Sequence, residues 1–319
     1  MSPLRIVFVD RETLPPKVRF GTFSFAADLV TYPRTAPAEV AERIAAADIV
    51  ITNKVPISAA DIATASRLRL IAVAATGTNM VDLAAARSRG ILVSNVRNYS
   101  AHSVPEHTFA LMLALRRNIL AYRASVAAGR WQDARQFCFF DHPIADLGGS
   151  TLGIIGGGTL GSAVARLGEA FGMEVLIAGR KGEASLPQGR TPFAEVLARA
   201  DVITLHLPLL PETRHLIGAP EFGAMARRPL LINAARGGLV DEIALRDALV
   251  GGQISGAGFD VAESEPPPAD SVLMRLLDRP DFILTPHVAW ASRQSIQSLA
   301  DQLTRNIEAF VAGEPRNLV

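Results

Sequence analysis

Thr151-Leu152-Gly153-Ile154-Ile155-Gly156-Gly157-Gly158-Thr159-Leu160-Gly161 is the stretch on which the reading of this chain turns. It sets the spacing G-x-G-x-x-G (Gly156, Gly158, Gly161) directly after a short apolar run and before a helical pattern, Ser162–Phe171. Each glycine meets a different physical demand. Gly156 permits a tight turn, Gly158 lets the backbone approach a pyrophosphate, and Gly161 lets helix pack on strand. The helix N-terminus then offers free N–H groups and the positive end of a dipole to phosphates. The bare spacing also suits a ligand-free glycine turn. In strand–loop–helix order it points to a dinucleotide.

The strand–helix rhythm continues on both sides. Downstream, Thr151–Ile155, Glu174–Ala178, Val202–Leu205, Leu230–Asn233, Ala257–Phe259 and Phe282–Leu284 read as strands, separated by helical patterns. Six such strands predict a doubly wound parallel sheet. Upstream, Leu4–Asp10, Asp48–Thr52, Leu70–Ala74 and Ile91–Val93 read as strands, with helices over Pro37–Ala47, Ser58–Ala65 and Val81–Arg87. This predicts a second, smaller α/β unit. Between the two, Ser103-Val104-Pro105-Glu106 has the spacing of a capping box and opens an almost wholly apolar helix. Trp131–Gly149 reads as a long aromatic loop, a packing arm suited to a homodimer interface. A last helix is expected near Arg293–Ala312.

Composition narrows the function classes. The chain has 319 residues, 49% hydrophobic and 20% charged, with a formal net charge of +1. That is globular composition with no basic surplus for nucleic acid or an anionic membrane. One cysteine, Cys138, leaves no intrachain disulfide and favours a reducing, cytoplasmic setting. Met1–Asp10 alternates like a strand rather than a signal peptide, and no apolar run reaches membrane-spanning length.

The end of the second strand in the glycine-loop series bears on cofactor choice. An acid there holds a ribose 2′-hydroxyl. Here Gly179 takes that position, followed by Arg180 and Lys181. Two cations without a carboxylate favour a 2′-phosphate, and so NADP over NAD. Both could also be ordinary solvated charges, which keeps NAD open.

Three further segments place polar groups just past predicted strands: Ala234-Ala235-Arg236, Asp260 to Glu265, and Pro286-His287. In an open α/β sheet, ligands bind at the carboxyl ends of the strands. All three segments therefore aim at the edge that carries the glycine loop. A histidine after proline is commonly structural. A histidine accompanied by an acid and an arginine on the same edge is a candidate catalytic group.

With these segments in order, the chain resembles the D-isomer-specific 2-hydroxyacid dehydrogenase family, within it the glycerate dehydrogenase/hydroxypyruvate reductase group. The likeness extends to Ala75-Thr76-Gly77-Thr78-Asn79-Met80-Val81-Asp82-Leu83, Ser103 to His107 and the tail Gly313-Glu314-Pro315-Arg316-Asn317. It implies an oxidoreductase moving a hydride between NAD(P)H and a small 2-keto acid, with hydroxypyruvate or glyoxylate first in line and another 2-keto acid as the rival. It implies His287 as general acid, Glu265 as its orienting carboxylate and Arg236 as the substrate anchor. Thr76, Gly77 and Trp290 would complete the substrate site. Thr159 and Leu160 would cap the pyrophosphate, Leu207, Pro208 and Ala234 would line the nicotinamide and ribose, and Asp260 would orient the carboxamide. Thr76, Ser103, Ala235, Arg236, His287 and Ala289 join the cofactor set. The family fold further implies a Rossmann domain over 103–289 inserted into a discontinuous flavodoxin-like substrate domain, 1–102 with 290–319, which closes on the substrate. Pro105, where an alanine is usual, is a departure at a tolerant helix position.

Competing readings are weaker on the same residues. Glu263 and Glu265 form a carboxylate pair, yet two acids in one Pro-rich turn are ordinarily solvated. His102, Glu106 and His107 lack a third strong partner for a metal, so no metal site is expected. A dinucleotide-sensing protein like the corepressors that share this fold keeps the same residues, and fold alone does not fix function.

Overall fold

The computed structural model describes residues 3–183 and 185–319. Met1 and Ser2, the first residues of the alternating N-terminal run, lie outside them, as does Ala184. The chain divides into two compact units, Met1–Ser100 with Ala291–Val319, and Ala101–Trp290.

The first unit is built on a five-stranded parallel sheet of β1 (Leu4–Phe8), β2 (Ala27–Thr31), β3 (Ile49–Thr52), β4 (Leu70–Val73) and β5 (Leu92–Ser94), in the order β2-β1-β3-β4-β5. Every residue of β3 and β4 is buried. Strands covered by helices on both faces read as unbroken apolar runs, which is why they were legible. The edge strand β2 was not expected from the sequence. It has one neighbour, pairing Leu4 with Ala27, and exposes Asp28 and Leu29, so no apolar run marks it. Helices α1 (Val40–Ile44), α2 (Ala59–Thr64) and α3 (Leu83–Ser88) connect the strands. Ser58 and Asp61 form a reciprocal cap on α2, and Asp82 caps α3 by accepting the Ala85 N–H. The C-terminal helix, Arg293–Val311, belongs to this unit and buries Ile296, Leu299, Leu303 and Ile307 on one stripe. Asn306 on that helix donates to the Asn95 carbonyl at 2.8 Å.

The second unit opens on α4 (Ser103–Arg116). Ser103 is not its cap. It is the first helical residue, and His102 before it already has helical angles (φ −101°, ψ −49°). A side-chain cap needs an extended residue at that point, so the Ser103–Glu106 spacing forms no capping box. α5 (Ile119–Ala127) and α6 (Arg130–Ala134) follow, so the stretch read as a loop from Trp131 begins as a short helix. Residues 135–150 are irregular, with Phe137 and Phe140 87% and 83% exposed.

The six-stranded parallel sheet consists of β6 (Thr151–Ile155), β7 (Glu174–Ile177), β8 (Val202–Leu205), β9 (Leu230–Asn233), β10 (Gly256–Phe259) and β11 (Phe282–Leu284). Its order is β11-β10-β9-β8-β6-β7. A parallel bridge between Ala178 and Thr191 adds a rudimentary strand beyond β7. Counting it gives the Rossmann order 3-2-1-4-5-6 with one strand more. Helices α7 (Thr159–Ala170), α8 (Phe193–Arg199), α9 (Ala219–Ala224), α10 (Glu242–Val250) and α11 (Val272–Arg275) complete the unit. One apolar layer gathers residues of α4, α7 and the sheet. The other gathers residues of α8, α9, α10 and the opposite sheet face. Glycine normally weakens a strand, but Gly258 in β10 lets α4 lie close. A Cβ there would stand 3.1 Å from the Leu111 Cβ.

Candidate active site

Six turns leave the carboxyl edge of the six-stranded parallel sheet, and a carboxylate ties two of them together. Asp260, directly after β10, is fully buried. Its Oδ1 accepts the Val288 N–H at 2.9 Å and the Thr285 hydroxyl at 2.5 Å, and its Oδ2 accepts the Ala289 N–H at 2.8 Å. The turn after β11 is thus tied to the neighbouring strand by one carboxylate. A buried carboxylate is tolerable because charge-assisted bonds from the protein replace its water. His107 of α4 adds to the group, its Nε2 3.0 Å from the Thr285 Oγ1.

His287 sits inside that turn with φ +55°. This left-handed conformation costs a non-glycine residue roughly 1–3 kcal/mol and persists where surrounding bonds over-determine it. Here the Asp260 bonds follow His287, and the Trp290 indole N–H donates to the His287 carbonyl at 2.9 Å. The strained turn presents the imidazole to Glu265: Nδ1 and Oε2 are 2.7 Å apart. An ionised carboxylate can only accept, so Nδ1 carries the hydrogen and Nε2 is left to exchange a proton elsewhere. The pair is partly open, with side chains 24% and 36% exposed. Glu265 is itself oriented, its Oε1 accepting the Ala262 N–H at 3.2 Å.

Arg236 follows β9 and is shaped by Asn233, a fully buried residue that the sequence reading passed over. Asn233 Oδ1 accepts the Ala235 N–H at 3.1 Å, and its Nδ2 donates to the Arg236 carbonyl at 2.9 Å. The Arg236 Nη1 donates to the Ala235 carbonyl at 2.6 Å. One guanidinium nitrogen is thereby held, and the planar fork keeps further N–H groups for an oxygen pair. Leu160, Ala234, Ala289 and Trp290 gather around Val104 in one apolar cluster, next to the buried Ser103.

The glycine loop after β6 meets the turn after β8. Gly156 has φ +105°, and a side chain on it would collide with the His206 carbonyl. A side chain on Gly161 would collide with the Gly156 carbonyl, whereas Gly158 faces open space, with nothing within 4 Å of where a Cβ would lie. The loop therefore leaves an unfilled cradle at the N-terminus of α7, in front of Thr159, a fit for the phosphates of a dinucleotide. His206 lies partly buried beneath it, with Nε2 3.0 Å from the Thr204 Oγ1. Loss of solvent around the ring lowers its pKa from 6.5 to about 4, so it is neutral. Leu207 packs on the core, and the Pro208 carbonyl accepts the Thr213 hydroxyl at 2.8 Å.

At the end of β7, Gly179 lies against Leu186, and Arg180 is exposed. Lys181 points to Glu221, Nζ to Oε1 2.7 Å. In the first unit, Thr76 and Gly77 follow β4. The Thr76 hydroxyl donates to the Val96 carbonyl at 2.8 Å, and Asn95 Nδ2 donates to the Thr76 carbonyl at 2.7 Å. Glu263 is not freely solvated: it pairs with Arg214, and its N–H donates to Glu242 at 2.8 Å. Among the described residues no group of three or more His, Cys, Asp or Glu side chains is placed to hold a metal ion. No helix among them is long and apolar enough to cross a membrane.

Asn233 acts on its own turn, two and three residues on, but a lone asparagine at a strand end does not stand out; the pairing of His107 with Thr285 carries no local signal at all. His107 is 178 positions from Thr285, and only the packing of α4 against the sheet brings them together.

Comparison with known proteins accords with this geometry. Residues 109–289 match the family model described as D-isomer specific 2-hydroxyacid dehydrogenase, NAD binding domain. The chain is 50% identical to a glycerate dehydrogenase of Methylorubrum extorquens over 99% of its own length and 98% of that protein. It is 34% identical to a hydroxypyruvate reductase of Blautia hydrogenotrophica, covering 99% of each. Among solved structures, an acyclic imino acid reductase in complex with NADPH and D-Arg superposes with a TM-score of 0.84 at 26% identity, over 99% of this chain and 100% of that one. Over most of its length, by sequence and by fold, this chain belongs to the D-isomer specific 2-hydroxyacid dehydrogenase family, and it is an NAD(P)-binding oxidoreductase.

Proposed function

We propose that the enzyme reduces hydroxypyruvate or glyoxylate to D-glycerate or glycolate, with NADPH favoured over NADH. The observation that carries the chemistry is the 2.7 Å contact between Glu265 and His287 on the edge that also holds Arg236 and the glycine loop. The substrate assignment leans on the glycerate dehydrogenase and hydroxypyruvate reductase relatives. The nicotinamide cofactor, when bound, supplies the hydride that adds to C2 of the keto acid. The chain's own residues do the rest. The Arg236 fork holds the substrate's carboxylate and carbonyl oxygen and so orients C2. Glu265 holds Nδ1 of His287, and Nε2 gives its proton to the C2 oxygen as that oxygen gains charge. General acid help of this kind is worth roughly 10²–10⁴-fold. In the opposite direction Nε2 takes the proton back.

The same reading assigns the second unit, about 103–289, to the cofactor and the first, 1–102 with 290–319, to the substrate. Thr76 and Gly77 enter as carboxylate donors on the strength of the resemblance. Gly158, Thr159 and Leu160 would hold the pyrophosphate, and Leu207, Pro208, Ala234, Ala235 and Ala289 would line the nicotinamide half. NADP is favoured because Gly179 stands at the end of β7 where an acid would bind the ribose hydroxyls, with the exposed Arg180 directly after it. A homodimer is favoured because Phe137 and Phe140 lie almost fully exposed beside the half-exposed Trp131, and light scattering of the purified enzyme measures it. The single cysteine fits a reducing, cytoplasmic setting.

The test is a reduction assay with hydroxypyruvate, glyoxylate, pyruvate and phenylpyruvate, each with NADPH and with NADH. Rapid NADPH oxidation with hydroxypyruvate or glyoxylate is expected. Faster turnover of pyruvate or phenylpyruvate would remove the substrate assignment, and preference for NADH would remove the cofactor assignment.

A further inference from the structure

Arg190 stands over the glycine loop, and neither the dinucleotide fingerprint nor the sequence reading gives it a role. Its Nη2 lies 3.5 Å from the Gly157 carbonyl oxygen, and any side chain on Gly157 would collide with its guanidinium. Gly157 is one of the freely variable positions of the fingerprint, so the glycine there answers to Arg190. The arginine immediately precedes Thr191, which bridges Ala178 at the end of β7. It is therefore held between the glycine loop and the carboxyl end of the second Rossmann strand, where the adenosine ribose of a dinucleotide lies.

Its Nη1 is shut off from solvent and has no hydrogen-bond partner. Buried polar groups are almost always paired, and a charged donor left without an acceptor is costly. An anion arriving at this edge supplies the missing acceptor. Of the two cations directly after β7, one is already engaged: Lys181 binds Glu221 at 2.7 Å. Burial acts to raise the Glu221 pKa, but the bonds from Lys181 and the Gly218 N–H outweigh it and leave the group below its ordinary value. Glu221 is thus an ionised partner that keeps Lys181 turned away. One carboxylate stands close by. Glu183 Oε2 accepts the Arg180 N–H at 3.0 Å and lies 3.5 Å from where a Gly179 side chain would begin. It is the group that would instead favour an unphosphorylated ribose.

We infer that Arg190, together with the exposed Arg180, receives the 2′-phosphate of the cofactor, and that Lys181 does not. This rests on the NADP reading given above and names the residue that enforces it.

The test compares adenosine 2′,5′-bisphosphate with 5′-AMP, which differ by the 2′-phosphate alone, by calorimetric titration of the full-length enzyme. Wild type, Arg190→Gln and Lys181→Met are titrated after their thermal unfolding has been matched. Wild type is expected to hold the bisphosphate more tightly by about tenfold to a hundredfold, the range for a charge-assisted bond. Arg190→Gln is expected to abolish that ratio and leave 5′-AMP within about threefold, while Lys181→Met keeps the ratio. If Arg190→Gln does not fold, Arg190→Lys, which keeps the charge without the planar fork, is expected to show an intermediate ratio. A wild-type preference that survives in the Arg190 variant overturns the role of Arg190 and leaves NADP use standing. Equal weakening of both ligands overturns it too, since Arg190 then serves the loop. No preference in wild type overturns the NADP reading itself, and this assignment with it.

Discussion

His287 and Arg190 stand at opposite ends of the same sheet edge, and their surroundings treat polar atoms in opposite ways. Around His287 the turn is tied by protein groups. Asp260 takes the Thr285 hydroxyl and two backbone N–H groups, Trp290 takes the His287 carbonyl, and Glu265 takes Nδ1. Around Arg190 a buried guanidinium nitrogen is left without a partner beside an open glycine cradle. The first end is organised in advance, as proton transfer at a defined atom requires. The second, on the proposal above, would be completed by the anion that binds there. One sheet edge thus carries a turn whose polar atoms are satisfied by the protein and, at its other end, a buried donor that is not.

The largest expected effect attacks the first end. His287→Ala should lower kcat by about 10²–10⁴-fold, while nicotinamide fluorescence reports cofactor affinity changed by less than about threefold. If kcat stays put, the contrast between the two ends has no chemical content. Next comes Asp260→Ala, which strips the acceptor from Thr285, Val288 and Ala289. A loss of about 3 kcal/mol in urea unfolding is expected, with turnover falling alongside. Wild-type stability in this variant would show that the His287 turn is held by something else. The smallest effect sharpens the comparison midway along the edge, at His206 under the glycine loop. Its folded pKa is about 4 and its unfolded value 6.5. The unfolded chain takes up the proton first, so this group's contribution is intact above pH 6.5 and drains as the pH falls through 4. That contribution is about 1–3 kcal/mol, since the residue is not wholly enclosed. Unfolding measured from pH 7 to 4 should be steeper in wild type than in His206→Asn. Equal slopes would assign the acid sensitivity to other groups.

Much of the fold is legible in the sequence. The six strands of the second unit showed because helices cover both faces of the sheet, so burial prints as unbroken apolar runs. The edge strand Ala27–Thr31 did not show, since one side has no neighbour and its residues are half polar. The cap assigned to Ser103 failed because the spacing of a motif does not reveal whether the residue before it is extended or already helical. Arg236, Glu265 and His287 could be singled out because each follows a strand of one series. Their order along the chain is local information.

What the sequence determined by itself is the parallel architecture, the glycine loop and the position of Arg236, Asp260 and His287 just past successive strands, because periodicity and short spacings are encoded within a few residues of one another. What only the tertiary structure decided is which polar atoms are satisfied. Asp260 holds the His287 turn, Glu221 takes Lys181, and Arg190 is left with an unpaired N–H donor over Gly157. Those outcomes depend on groups 29 to 40 positions apart meeting across packed strands. Hydrogen bonding acts at about 3 Å, a distance that separation along the chain does not predict.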